Sequence, residues 1–202
     1  MFKNFISALF RKDKSFTLVE LMLVMTIIMV ITALVLLNYR AGGQHLALSR
    51  SANKLAQDIR RAQEMAVSAA VCESCGGIVP HRYGIYSDSS ADNPTSYLMF
   101  ADINNDGSWL PADDIEVKRL YYEPGVFLSS ITDSACSTWP PGPGIWRPHI
   151  TFSPPDPATE LKVGWVPTLF SCTEIILTLQ VGDSSGPTKK VKVNSAGLIY
   201  VE

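Results

Sequence analysis

Lys12-Asp13-Lys14-Ser15-Phe16-Thr17-Leu18-Val19-Glu20-Leu21 leads without a break into an apolar run that lasts to Leu37. Positions 21–37 carry no charge. With 16–19 the run reaches about 20 residues, enough at ~1.5 Å per residue to cross a ~30 Å hydrocarbon core. Leu, Ile, Val and Met dominate it, and each large aliphatic favours insertion by roughly 0.3–0.6 kcal/mol, so the sum outweighs one acid near an end. Lys3, Arg11, Lys12 and Lys14 precede the run against Asp13 alone, while only Arg40 lies close behind it. The positive-inside rule therefore predicts a cytoplasmic N-terminus and export of everything after about Asn38.

No Ala-x-Ala-like cleavage site follows Leu37 closely, so a secretory signal cut behind its apolar core does not fit. A plain signal anchor explains length and orientation but gives no reason to keep Glu20 inside the run. An isolated carboxylate in lipid costs several kcal/mol, and a partner for it is expected.

Ser-Phe-Thr-Leu-Val-Glu-Leu-Met-Leu-Val at positions 15–24 resembles the start of type IV pilins and type II secretion pseudopilins. The resemblance implies a basic leader removed by a prepilin peptidase on the cytoplasmic side, with the scissile bond at Ser15-Phe16, an N-methylated Phe16 as the new terminus, and Glu20 as the assembly acid. The new α-amino group of one Phe16 and the carboxylate of a neighbour's Glu20 would neutralise each other at low dielectric and set the axial step between subunits. The alternative is that Glu20 snorkels to the headgroups. Two departures stand out: Ser15 takes the place of the usual Gly, and no Pro interrupts positions 33–38, so the helix should run straight there.

Four segments are expected: 1–15 as leader, 16–38 as the transmembrane part of a long helix, 39–71 as its amphipathic part, and 72–202 as an extracytoplasmic head. Gly42-Gly43 marks a weak point, since each glycine lowers helix stability by about 1 kcal/mol. Beyond it, Leu48, Ala52, Leu55, Ile59, Ala62 and Ala66 recur at spacings of four and three, a stripe that should pack on a sheet. From Cys72 on, β-rich segments at 83–86, 97–100, 115–122, 149–152, 174–181, 189–193 and 198–201 are separated by turn residues. They predict an antiparallel sheet, with a final hairpin across 193–198. No repeat of fixed period is visible. The fold class is α+β: a long N-terminal helix, transmembrane then amphipathic, on an antiparallel β-sheet head, as in type IV pilins.

Positions 55–66, Tyr-Leu-Met-Phe-Ala-Asp at 97–102 and Ser-Ala-Gly-Leu-Ile-Tyr-Val at 195–201 are further similar to H-type minor pseudopilins and fimbrial T-type minor pilins. The implied role is a structural subunit of a type IV pilus or secretion pseudopilus, single-pass in the inner membrane before assembly. Its implied partners are other pilin or pseudopilin subunits, the inner-membrane assembly platform and membrane lipid. A filament-borne adhesin, or a DNA- or cargo-binding minor pilin, is the alternative.

Formal net charge is −2 and becomes more negative once the basic leader leaves, so a basic nucleic-acid surface is not expected. Lys189-Lys190-Val191-Lys192 reads as the solvated face of an edge strand. In the head, Asp102, Asn104, Asp106, Ser108 and Asp113 place oxygens at the spacing of a calcium loop, with Gly107 for the turn. Asn105-Asp106-Gly107 reads equally as a polar turn between two strands, so calcium is the one cofactor in view. Four cysteines in an exported head lead to two disulfides among three pairings, here Cys72–Cys75 with Cys136–Cys172. A zinc site or a redox pair at Cys72 and Cys75 is the poorer alternative, lacking a second CxxC and a βαβ context. His45, His81 and His149 belong to no nucleophile motif, and no enzyme is predicted. The loop 139–146, rich in Trp, Pro and Gly, reads as a cap on the sheet or as a contact surface.

Overall fold

The computed structural model describes residues 17–88, 94–134, 147–154, 158–165, 168–183 and 185–202. The chain divides into two compact units between Gly42 and Gly43, and the helix α1, Leu18–Val67, contributes to both.

In the first unit the segment Leu18–Leu36 has a mean hydropathy of 2.7 and none of it is buried. It is long and apolar enough to cross a membrane. Its two threonines return their hydroxyls to the helix: Thr26 Oγ1 donates to the Leu23 carbonyl at 2.8 Å and Thr32 Oγ1 to the Ile28 carbonyl at 2.7 Å. Such back-bonding satisfies a hydroxyl that hydrocarbon cannot.

In the second unit all six residues of the expected stripe, Leu48 through Ala66, are at most 1 % exposed. Alanines alternating with Leu and Ile let the helix backbone approach the strands closely, and Ser51 adds a polar tie by accepting the Glu123 N–H at 2.9 Å. The strands are β1 (Arg82–Tyr86), β2 (Ser96–Asp102), β3 (Ile115–Tyr121), β4 (Val126–Ser134), β5 (Pro148–Ser153), β6 (Ala158–Trp165), β7 (Thr168–Ser171), β8 (Glu174–Val181), β9 (Thr188–Asn194) and β10 (Ile199–Val201). Every pairing among them is antiparallel. They form not one sheet but two, a six-stranded sheet in the order β3-β2-β1-β5-β6-β7 and a four-stranded sheet in the order β10-β9-β8-β4.

Three strands escape the sequence pattern. In β4 the run Ser129-Ser130 interrupts the alternation at a bulge, where pairing with β8 shifts between Leu128 and Ser130. β6 does alternate, buried Leu161 and Val163 against the less buried Glu160 and Lys162, but charged residues and a closing Gly164 dilute its β-rich character. β7 has four residues, too few for periodicity. A further correction concerns the lysine-rich strand: β9 lies between β8 and β10, so it is an interior strand rather than an edge. Lys190 and Lys192 still share a solvated face, opposite buried Val191 and Val193, and Lys192 pairs with Glu202 at 2.7 Å.

The main core joins the α1 stripe to the inward residues of both sheets, including Tyr83, Tyr97, Phe152, Leu161, Ile175 and Val191. On the opposite side of the six-stranded sheet lies a second cluster of Tyr86, Leu98 and Phe100, with Trp109 packed on it. Gly84 makes this possible. A Cβ there would meet the Phe100 ring at 2.7 Å and the Ile150 carbonyl oxygen at 2.8 Å, so the ring lies directly over the glycine backbone.

Candidate functional site

The entry of α1 is built by Thr17. Its hydroxyl accepts the Glu20 N–H at 3.3 Å, and its carbonyl accepts the Leu21 N–H at 3.2 Å, so Thr17 is the N-cap and Glu20 sits at N3. Thr17-Leu18-Val19-Glu20 has the spacing of a capping box, a signal present in the sequence that hydropathy alone passes over. The carboxylate thereby occupies the first turn, where the helix dipole favours a negative charge by about 0.3–1 kcal/mol. Thr26 and Thr32 being satisfied, Glu20 is the one polar side chain of Leu18–Leu36 without a hydrogen-bond or ion-pair partner among the described residues. The residues expected to complete this site, Ser15 and Phe16, lie outside the described residues.

The cysteines occupy the second unit. Cys72 and Cys75 are bonded to each other across a 3-10 turn, Glu73–Cys75, with Cα atoms 5.1 Å apart. The Cys72 N–H donates to the Ile78 carbonyl at 2.8 Å, which closes the loop behind α1. Cys172 is disulfide-bonded as well, and Cys136 lies outside the described residues, as does the loop 139–146.

The acidic loop between β2 and β3 satisfies its carboxylates internally. Asp102, fully buried, accepts the Asn105 N–H at 2.6 Å and the Gly107 N–H at 2.8 Å. Asp106 accepts from the Ser108 N–H and hydroxyl, both at 2.7 Å, and from the Asn104 amide at 2.9 Å. Asp114, not Asp113, turns into the loop, accepting the Leu110 N–H at 2.9 Å and the Ile103 N–H at 3.2 Å. Asp113 stays exposed. Two cations reach the loop from neighbouring strands. Arg82 donates to Asn105 Oδ1 at 2.9 Å and pairs with Glu160, while Lys162 donates to the Asp106 carbonyl at 2.5 Å and pairs with Glu160 at 2.9 Å. Among the described residues no three His, Cys, Asp or Glu groups converge as metal ligands. Gly107 has φ +70°, and a Cβ on it would strike Glu160, Arg82 and Lys162.

Electrostatics follow burial. Burial pushes the Asp114 carboxyl up to about 6, helped by the fields of Asp102 and Asp106 and opposed by its two backbone hydrogen bonds. For Asp106 burial works upward too, but the bonds from Ser108 and Asn104 and the Lys162 charge outweigh it and hold the group below its ordinary value. His149 is 2 % exposed, and burial lowers it to about 4. Its Nδ1 accepts the Trp109 N–H at 2.7 Å, so the neutral ring carries its proton on Nε2. His149 serves the packing of Trp109, and sequence reasoning had no local motif with which to place it.

No curated protein and no solved structure matches the chain. Residues 10–36 match the family model of the prokaryotic N-terminal methylation motif, and the apolar helix, the amphipathic helix and the antiparallel sheets agree with an α+β type IV pilin-like fold. The motif implies processing by a prepilin peptidase and assembly with other pilins, the work of a structural subunit. With its methylation motif over residues 10–36, the chain carries the type IV prepilin-like signature.

Proposed function

We propose that this chain is a minor pseudopilin or minor pilin, similar to the H-type and fimbrial T-type subunits. A peptidase cuts it between Ser15 and Phe16 and methylates Phe16. It then waits in the inner membrane as a single span, with its head outside the cytoplasm, until an assembly platform adds it to a type IV pilus or secretion pseudopilus. One observation carries this reading: among the described residues, Glu20 is the only polar side chain of the exposed span Leu18–Leu36 without a hydrogen-bond or ion-pair partner. An unpartnered carboxylate at that depth is expensive unless assembly supplies a counter-charge, and the α-amino group of a neighbour's Phe16 is the group that cleavage creates.

Glu20→Val tests the proposal. The span keeps its length and gains an apolar residue, so membrane insertion should persist, while incorporation into sheared filaments should fall to background. Normal incorporation of the variant would overturn the pairing role.

A further inference from the structure

The cluster of Tyr86, Leu98, Phe100 and Trp109 lines more than a patch of outer sheet. Trp109 stands 5.5 Å from Phe100 and 6.4 Å from Tyr86 between ring centroids, and a cavity of about 400 Å³ opens beside it. That volume lies in the range of small-ligand sites. Its apolar wall is Leu98, Trp109, Leu110 and Pro111. Its charged lining is Arg147, paired with Asp88 at 2.9 Å, and Arg119, whose partner Glu116 lies just outside the cavity. Trp109, Leu110 and Pro111 come from the same β2–β3 loop as the acidic cluster, but Gly107 and the carboxylates of Asp102, Asp106 and Asp114 stand outside this lining.

Two donors face an incoming anion. Arg119, 47 % exposed at its side chain, grips Glu116 through Nε at 3.1 Å and Nη2 at 2.6 Å. That fork uses two of the five guanidinium N–H groups, and so exposed an ion pair is weak, so Arg119 can take a second acceptor at little cost. The other donor is deeper. His149 Nε2, which carries the proton because Nδ1 accepts from Trp109, is buried without a hydrogen-bond partner. It faces the Gly164 backbone without reaching hydrogen-bond geometry. A buried donor left in this state is destabilising, and a ligand oxygen would relieve it.

We propose that this cavity binds a small monoanion with a planar apolar body, that is, an arylalkyl carboxylate. The ring lies against Trp109 and Leu98, where aromatic contact adds to area burial, and the carboxylate turns toward Arg119 and the Nε2–H of His149. Such a group occurs as a free acid and as the aromatic C-terminal residue of a polypeptide.

Titration calorimetry on the full chain in dodecyl maltoside micelles tests this with phenylacetate and its neutral isostere phenylacetamide. Phenylacetate should bind saturably, and the amide about tenfold more weakly, because a charge-assisted bond is replaced by a neutral one. Arg119→Gln should weaken phenylacetate by about tenfold with an unchanged melting temperature, and Leu110→Trp, which places a ring in the cavity, should abolish uptake. Equal binding of acid and amide, no saturable heat with phenylacetate, or undiminished binding in Arg119→Gln would each overturn the proposal. N-acetyl-Gly-Phe is compared with its C-terminal amide to separate the sources. Tighter binding of the free-acid peptide than of phenylacetate supports the site with a polypeptide terminus as occupant, and weaker binding supports it with a free acid.

Discussion

The phenol of Tyr97 donates to Asp58 Oδ2 at 2.5 Å, which ties β2 to the amphipathic part of α1 across the main core. Burial, and then this bond to a carboxylate, push the Tyr97 hydroxyl far above its ordinary range. The Tyr122 ring, 5.0 Å away between centroids, completes the packing. The helix is thus held to the sheet by a directional bond as well as by its apolar stripe.

Tyr97→Phe keeps the ring and removes the donor, leaving Asp58 half-buried with one bond fewer. The expected cost is about 1–2 kcal/mol in chemical denaturation. A double-mutant cycle with Asp58→Ala should return a coupling of similar size. A coupling near zero would mean that apolar contact alone fixes the helix.

Mass spectrometry of the mature protein should find an N-terminus at Phe16 carrying one added methyl group, since the leader is basic and positions 10–36 carry the methylation motif. A terminus retained at Met1, or one beyond Leu37, would remove the basis for filament assembly. Ser15→Gly should leave the cut where it is.

Chelation should leave the head's melting temperature unchanged. The carboxylates of Asp102, Asp106 and Asp114 accept protein N–H and O–H donors, and Lys162 already brings a cation to the loop. A calcium-dependent rise in melting temperature, reversed by chelator, would instead show that the loop rearranges to ligate the ion.

Asp114 and His149 should pull stability in opposite directions as pH changes. Asp114 is raised to about 6, so the folded state binds its proton more tightly than the unfolded chain does, and stability from this group is lost as pH rises from about 4 to 6. His149 is lowered to about 4, so its contribution is present above about 6.5 and is lost as pH falls toward 4. Asp114→Asn removes the first slope only. The variant's melting temperature should therefore climb more steeply between pH 4 and 6 than that of the wild type, and parallel curves would rule out a buried, protonating Asp114.

Periodicity and hydropathy are local quantities, and what depends on them was legible. The apolar span, the lone acid within it and the stripe from Leu48 to Ala66 each follow from residues within a few turns of one another. The strand 174–181 and the final hairpin also stood out, because turn chemistry and alternation mark them without reference to the rest of the fold. The loop from Asp102 to Asp114 was legible as a polar turn, but not which of two adjacent aspartates would face inward. That choice rests on the backbone N–H groups of Ile103 and Leu110, positioned only when β2 and β3 pair.

The amino-acid sequence by itself determined a membrane-length helix with one acid near its start, an amphipathic continuation and a β-rich remainder, because each arises from nearest-neighbour backbone geometry and side-chain polarity. Only the tertiary structure decided the split into two sheets, the interior place of β9, the meeting of Arg82 with Glu160 across 78 positions and the contact of His149 with Trp109 across 40. These depend on which strands pair, and pairing is chosen by burial of the whole core at once, which no short window of residues encodes.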